Sequence, residues 1–158
     1  MMLYIGLGNP EPQYEATRHN IGRSIVGQFQ RKCGLPEFQV HPRWDAMISE
    51  GRLETKRLII LLPNTFVNRS GTVAHAALQY FKIPNKNLVV IHDDADILVG
   101  CAKLSFGKNA GGHKGVESII KALKANAFWR FRIGIGKKRD IPAEDIVLKK
   151  FSPQAILL

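Results

Sequence analysis

Two short segments near the start of the chain carry side chains suited to acid–base chemistry. An apolar run from Leu3 ends in Gly6-Leu7-Gly8-Asn9-Pro10, and His19 follows ten residues after Asn9. The run predicts a buried strand, so Asn9 is expected at its carboxyl end, where open α/β sheets place their ligand crevices. A loop back to the same rim would bring His19 there. Because an imidazole titrates near neutral pH, it is suited to general-base work.

Two further polar segments are expected at the same rim, and a fourth polar segment is a candidate anion site. Residues 64–70 follow the apolar run 58–62, and residues 92–96 follow the run 88–91. The glycine-rich segment 109–115 precedes a predicted helix, which is typical of an anion site but also of an ordinary capped loop. By composition the cluster His92, Asp93, Asp94 and Asp96 could also hold a metal, although no second ligand cluster of suitable spacing accompanies it.

The elements that must position these residues alternate between strands and helices. Strands are predicted at 3–7, 58–62, 88–91, 102–106 and 131–136, and helices at 21–33, 72–81 and 116–123. Residues 34–57 are less regular and are compatible with an edge strand. This alternation predicts one α/β domain over residues 1–158, with three layers and a twisted, mostly parallel (mixed) sheet flanked by helices.

Charge and composition narrow the classes of partner. The chain has 23 Lys and Arg against 13 Asp and Glu, a net charge of +10, and residues 98–158 hold 12 of the basic and 4 of the acidic groups. This density favours a polyanionic partner, nucleic acid first, over a merely solvated basic face. No apolar stretch reaches the roughly 20 residues of a membrane-spanning helix. Cys33 and Cys101 lack metal-ligand spacing, so we expect buried, reduced thiols in a cytoplasmic protein.

Six segments carry a family resemblance, in order and at matching spacing along almost the whole chain. They are Gly6–Pro10, Tyr14–Gly22, Pro63–Gly71, His92–Asp96, Gly111–Gly115 and Arg132–Gly136. Together they resemble the bacterial-type peptidyl-tRNA hydrolase family. The resemblance implies hydrolysis of the ester between a peptide and the 3′-terminal ribose of tRNA, which frees the tRNA during translation. It also implies a monomer that needs no metal, no organic cofactor, no membrane and no obligate protein partner.

The same resemblance implies roles for ten residues. His19 matches the catalytic histidine that activates water, and Asp93 matches the carboxylate that orients this histidine and stabilises its cation. Eight residues are expected to contact the substrate or the tRNA: Asn9, Tyr14, Phe66, Asn68, Lys103, His113, Lys114 and Arg132. Within this set, Asn9 and Asn68 match amides that place substrate and water, and Arg132 matches a cation that holds the tRNA 5′-phosphate. His113 is alternatively a support for the glycine loop, and Asn68 a helix cap.

The chain departs from the family pattern at two positions and near its end. Lys114 stands where the family usually has asparagine. Ser105 stands where it usually has a second cation for the 5′-phosphate, and Lys103 or Lys108 is the expected substitute. The family pattern continues after Val147–Pro153 into another helix, so we expect this C-terminal helix to be truncated.

Two alternative functions remain open at this point. Lys114 and Ser105 favour a catalytically weak or inactive relative that binds tRNA or another RNA. Gly6-x-Gly8 after a strand suggests a nucleotide-binding enzyme, but Glu11 occupies the third glycine position of the dinucleotide fingerprint.

Overall fold

One mixed sheet of seven strands organises the computed structural model, which describes residues 1–14 and 17–137. The strands are β1 (Met2–Gly6), β2 (Gln39–Val40), β3 (Ala46–Leu53), β4 (Lys56–Pro63), β5 (Leu88–Leu98), β6 (Ala102–Phe106) and β7 (Trp129–Gly136). Their spatial order is β2-β3-β4-β1-β5-β7-β6. Parallel pairing joins the four central strands, and antiparallel pairing adds β3 and β2 at one edge and β6 at the other.

Three helices complete the layers: α1 (Ile21–Lys32), α2 (Ser70–Phe81) and α3 (Lys114–Leu123). Leu3 and Ile5 of β1 point into the core beneath α2 and α3. Met2 and Tyr4 alternate with them and face the core beneath α1. This alternation follows from the two-residue period of a strand, and it buries both faces of the central strands. The predicted three-layer α/β architecture with a mixed sheet is confirmed.

The irregular segment 34–57 contains two strands rather than one. β3 pairs along its whole length with β4, through a hairpin in which Glu54 has a φ of 56°. The short β2 then adds to β3 as the outermost strand. One β3 face packs against the core through Ala46 and Ile48, whereas Glu50, Arg52 and Leu53 are exposed. The segment therefore lacks the continuous apolar run of the central strands.

The strand predicted to end at Ile91 continues to Leu98 as β5. On one side, pairing with β1 stops where Gly6 lies opposite Ile91. On the other side, pairing with β7 continues to Asp94, which lies opposite Gly134, and resumes after an irregularity with Leu98 opposite Gly136. Asp93 therefore lies inside a strand that is paired on only one side. The unpaired side opens a crevice next to the carboxyl end of β1, which is where an open α/β sheet binds its ligands.

Gly22 allows the first turn of α1 to lie directly on the sheet. A Cβ atom there would be 2.3 Å from the carbonyl oxygen of Ile91 and 2.8 Å from that of Leu7. Only glycine permits this approach without displacing the backbone. The short 3₁₀ turn Arg18–Asn20 immediately precedes α1, so the close contact fixes this turn over the ends of β1 and β5.

Three further predictions concern membrane-spanning helices, the burial of the two cysteines and the C-terminal helix. Of the helices within the described ranges, none has the length and apolar character needed to cross a bilayer. Cys33 is half-buried, but the predicted burial of Cys101 is wrong, because this residue lies in the exposed turn between β5 and β6. The expected truncated C-terminal helix, and with it the 1–158 boundary, falls on residues outside the described ones.

Candidate active site

Asn9 is held rigidly at the end of β1 by its neighbours in space. Its backbone N–H donates to Oδ1 of Asn20 at 2.8 Å, and Nδ2 of Asn20 donates back to the Asn9 carbonyl oxygen at 2.7 Å. The side-chain oxygen of Asn9 accepts the N–H of Val67 at 2.9 Å. Because this bond identifies the oxygen, the Nδ2 group of Asn9 remains as a donor. Asn20 was missed as a site residue, although it directly follows His19.

The segment after Gly8 does not form a dinucleotide site. It runs into the 3₁₀ turn Pro12–Tyr14, and the next helix begins only at Ile21. A dinucleotide fold needs a helix N-terminus immediately after the glycines to receive the pyrophosphate. The nucleotide-binding alternative therefore has no structural basis at this loop.

His19 and Asp93 come together although they are 74 residues apart in sequence. Nδ1 of His19 lies 2.7 Å from Oδ1 of Asp93, and both side chains are buried. A carboxylate accepts, so Nδ1 carries the hydrogen and the lone pair of Nε2 is available to accept a proton. The sequence placed both residues on one rim, and the geometry is that of a base with its orienting carboxylate.

His113 binds the same carboxylate oxygen as His19. Its Nε2 lies 2.8 Å from Oδ1 of Asp93, while its Nδ1 accepts the backbone N–H groups of Gly115 at 3.1 Å and Val116 at 3.2 Å. His113 is thus the N-cap of α3 and is held as the neutral tautomer with its hydrogen on Nε2. Both ring nitrogens are used within the protein, so the geometry favours support of Asp93 over direct substrate contact.

The environment of Asp93 keeps its carboxyl ionised. Burial alone would raise the pKa of Asp93, but the adjacent His113 and His19, which both donate hydrogen bonds to its carboxylate, bring that pKa well below its usual value of 3.8. His92 lies behind this group, and burial followed by the nearness of His113 lowers the pKa of its imidazole to about 3. Its Nδ1 lies 2.7 Å from the Asp93 carbonyl oxygen. His92 is therefore neutral at physiological pH, and it lies next to Asp93 as a buried neighbour and not in the metal cluster that the composition allowed.

The donor set does not suit a metal ion. Within residues 1–14 and 17–137, one group of at least three His, Cys, Asp or Glu side chains lies close enough together to hold an ion. It consists of His19, Asp93 and His113. Binding through Nε2 would require the hydrogen of His113 to move to Nδ1. That nitrogen already accepts two backbone N–H groups, so the shift would set donor against donor. Among the same described residues, His92, Asp93, Asp94 and Asp96 do not form such a group, and Oδ2 of Asp94 accepts from Nε of Arg132 instead.

Arg132 lies on β7 next to the crevice, and two hydrogen bonds fix the orientation of its guanidinium group. Its Nε donates to Oδ2 of Asp94 at 2.8 Å, and its Nη1 donates to the hydroxyl oxygen of Ser105 at 3.1 Å. Lys103 pairs with Arg132 across β6 and β7 and is exposed. The predicted cations Arg132 and Lys103 are therefore neighbours. Asp94 and Ser105 orient the Arg132 side chain, and nothing in the sequence predicted this role for them.

Arg130 connects this part of the sheet to the glycine loop. The side chain is buried, and its Nη1 donates to the carbonyl oxygens of Lys108 and Asn109. The loop continues into the turn in which the N–H of His113 donates to the Ala110 carbonyl oxygen at 3.1 Å. Arg130 thereby anchors the segment that delivers His113 to Asp93.

The other predicted contact residues are placed around the crevice with different exposure. Asn68 is exposed in the 3₁₀ turn Val67–Arg69 and does not cap α2, whose N-cap is Arg69. Phe66 is exposed just before that turn. Tyr14 is half-buried, and its carbonyl oxygen accepts both the N–H and the hydroxyl of Thr17. These two bonds hold the backbone just before the turn that carries His19.

Lys114 directs its charge away from the histidines. It is the first residue of α3, and its Nζ lies 3.8 Å from Oε2 of Glu117, with 73% of the side chain exposed. The ammonium is therefore solvated rather than inserted next to Asp93. An exposed pair of this kind contributes little to stability.

The chain is similar over nearly its full length to known proteins. The family model described as peptidyl-tRNA hydrolase matches residues 3–157. A peptidyl-tRNA hydrolase of Rhodococcus erythropolis is 41% identical over 95% of this chain and 79% of its own length. One of Thermoanaerobacter pseudethanolicus is 39% identical over 93% and 77%, respectively. The crystal structure of peptidyl-tRNA hydrolase from Acinetobacter baumannii covers 99% of this chain and 79% of its own, at 31% identity and a TM-score of 0.91. The chain belongs to the peptidyl-tRNA hydrolase family.

Proposed function

We propose that this protein hydrolyses the ester that joins a peptide to the 3′-terminal ribose of tRNA. The observation that carries the proposal is the 2.7 Å contact between Nδ1 of His19 and Oδ1 of Asp93. Asn9 is held close in the chain fold by two hydrogen bonds to the side chain of Asn20, the residue after His19. A base, its carboxylate partner and a fixed amide donor are the parts that water-dependent ester cleavage requires. A relative that only bound RNA would have no use for this buried arrangement, so it argues for the enzyme over the inactive alternative.

The reaction follows from the hydrogen-bond pattern. Nε2 of His19 takes a proton from water, and the hydroxide attacks the ester carbonyl carbon. The imidazolium that forms is stabilised by the ionised carboxylate of Asp93. The Nδ2 group of Asn9 donates to the negative oxygen of the tetrahedral intermediate, and Asn68 contacts the substrate from the exposed side. Collapse releases the ribose oxygen, which takes the proton back from His19, and leaves the peptide as a carboxylic acid.

The tRNA is expected on the side of the sheet formed by β5, β7 and β6. Arg132 and Lys103 lie there, and Lys108 follows on the exposed loop. A guanidinium fork is suited to the 5′-phosphate because it can donate two parallel hydrogen bonds. We propose that the protein acts as a monomer in the cytoplasm, without an obligate protein partner or a metal.

A cleavage assay on matched substrates tests the function. N-acetyl-aminoacyl-tRNA is compared with the free aminoacyl form of the same tRNA, and release of tRNA is followed with time. We expect cleavage of the blocked form and little or none of the free form. Absence of cleavage of the blocked form would contradict the proposal.

Replacing Arg132 by glutamine should weaken tRNA binding in a salt-dependent manner. Loss of one phosphate contact is expected to reduce the slope of log Kd against log salt concentration by about one unit. The measurement is tRNA affinity at several salt concentrations for both proteins. Arg52→Gln is the matched control, because Arg52 is exposed near the end of β3 that is remote from the site. Equal slopes for Arg132→Gln and wild type would remove Arg132 from the proposed clamp.

Replacing Lys114 by asparagine, the usual family residue, should change kcat/KM by less than about threefold. The physical reason is that the ammonium is exposed and paired with Glu117, where solvent screens its effect on the histidines. The rate on N-acetyl-aminoacyl-tRNA is compared for the two proteins at one ionic strength. A gain of tenfold or more would show that the lysine impairs catalysis.

A further inference from the structure

The backbone carbonyl of Asp93 lies where β5 has lost one neighbouring strand. The N–H of Leu7 donates to the Ile91 carbonyl oxygen at 3.0 Å, so this carbonyl points toward β1. Carbonyl groups two residues apart in a strand point to the same side, so the Asp93 carbonyl does too. The next donor of the ladder would be the N–H of Asn9, but it donates to Oδ1 of Asn20 at 2.8 Å. The Asp93 carbonyl therefore lacks its ladder bond from the β1 side.

The side chain of His92 supplies the donor that β1 does not. Its Nδ1 lies 2.7 Å from the Asp93 carbonyl oxygen, and because a carbonyl only accepts, Nδ1 carries the hydrogen. Burial, followed by the nearness of His113, lowers the pKa of the His92 imidazole and keeps it neutral, which preserves this tautomer. The bond fixes the peptide group of the residue whose carboxylate binds His19 and His113.

The surroundings of the His92 ring do not explain why a histidine stands at this position. The side chain is 1% exposed and packs edge-on against His113, with ring centroids 4.7 Å apart. Its Nε2 has no hydrogen-bond partner among the residues that the structure describes. A buried polar atom without a partner is destabilising, and an apolar side chain of similar size would not introduce one. Packing stability alone therefore does not account for the imidazole, whereas the Nδ1 bond does.

We propose that His92 is a positioning residue for ester hydrolysis, whose Nδ1–H fixes the Asp93 backbone so that the carboxylate stays aligned with His19. The inference rests on the proposed hydrolase function. His92 is buried, so it acts through Asp93 and not on the substrate. A displacement of about 1 Å in a catalytic group can reduce the rate by about 100-fold. The loss should appear in kcat and not in KM, because the side chains that contact the substrate are unchanged.

Three substitutions at position 92 separate the donor from the volume that the ring fills. His92→Leu keeps most of the volume and removes the donor. His92→Asn places an amide N–H where Nδ1 stands, whereas His92→Gln places its amide where Nε2 stands, away from the Asp93 carbonyl. The two amides are matched in polarity, so they carry the comparison if the leucine variant does not fold. Circular dichroism and thermal unfolding show which variants are folded at the assay temperature.

The measurements are kcat and KM for N-acetyl-aminoacyl-tRNA. We expect His92→Leu and His92→Gln to lower kcat by about 10- to 100-fold, with KM changed less than about twofold. His92→Asn should restore kcat to within about threefold of wild type, because it keeps the donor. His92→Leu is also made in an Asp93→Ala protein, in which no carboxylate remains to be positioned. There it should lower single-turnover cleavage by less than about threefold further.

Three results would overturn the positioning role. They are wild-type kcat in folded His92→Leu or His92→Gln, an equal loss in the asparagine and glutamine variants, and a His92→Leu loss of equal size with and without Asp93. Each of them leaves the hydrolase function intact, because wild type still cleaves the ester. Failure of wild type to cleave N-acetyl-aminoacyl-tRNA would instead contradict the proposed function itself, and the role of His92 with it.

Discussion

Replacing His19 by alanine is expected to reduce kcat for N-acetyl-aminoacyl-tRNA by about 1,000-fold, with tRNA affinity changed only a few fold. The proposed base is lost, but the phosphate-contacting side chains on β6 and β7 are untouched. General-base catalysis by a positioned imidazole contributes rate factors of this order. Single-turnover cleavage and tRNA binding, measured on the same preparations, separate the two effects.

The matched control is His75→Ala, which removes an exposed imidazole from α2 at no cost to the site. This variant should retain wild-type turnover. Since His19 is buried beside Asp93, circular dichroism and thermal unfolding must show that His19→Ala is folded at the assay temperature. A folded His19→Ala protein that keeps more than a tenth of wild-type turnover would refute the assignment of His19 as the base.

The meeting of the segments that carry His19 and Asp93 was predictable because strand position could be read from apolar runs, whereas the pairing of these two side chains was implied by the family resemblance. Runs of five apolar residues around Leu3 and Leu58, and a run of four at Leu88, predicted central strands that the structure contains. Parallel neighbours end at one edge of a sheet, so the polar residues after each run had to meet. The topology therefore brings the segments of His19 and Asp93 together across 74 residues of sequence.

The sequence did not predict two features of the site in which polar residues have structural roles. β5 continues for several residues past Ile91 because backbone pairing with β7 supports it, and this pairing leaves no apolar signal. His113 caps α3, a position at which serine, threonine, aspartate and asparagine are preferred, so the sequence suggested a capped loop there but did not identify His113 as the cap. The second partner of Asp93 was therefore hidden in a residue expected to contact substrate.

Replacing Asp93 by asparagine should lower kcat by roughly 10³- to 10⁴-fold while leaving the fold intact. In the native protein Oδ1 of Asp93 accepts from Nδ1 of His19 at 2.7 Å and from Nε2 of His113 at 2.8 Å. An asparagine oxygen can accept both bonds, so the side chains can stay in place. It carries no charge, however, and cannot stabilise the imidazolium that forms when His19 takes the proton. Asp96→Asn is the matched control, since Asp96 is exposed on the same strand.

Stability as a function of pH gives a second, independent test of the same charge. The folded state holds the pKa of Asp93 below its usual value of 3.8, so the ionised carboxylate stabilises the fold above that pH. As the pH falls below about 4 the unfolded chain takes up this proton first, and the contribution is progressively lost. The difference in unfolding free energy between wild type and Asp93→Asn should therefore be largest near neutral pH and shrink in acid. A difference that stayed constant from pH 7 to pH 3 would show that Asp93 is not held as an anion by the two imidazoles, and the proposed stabilisation of a cationic His19 would lose its physical basis.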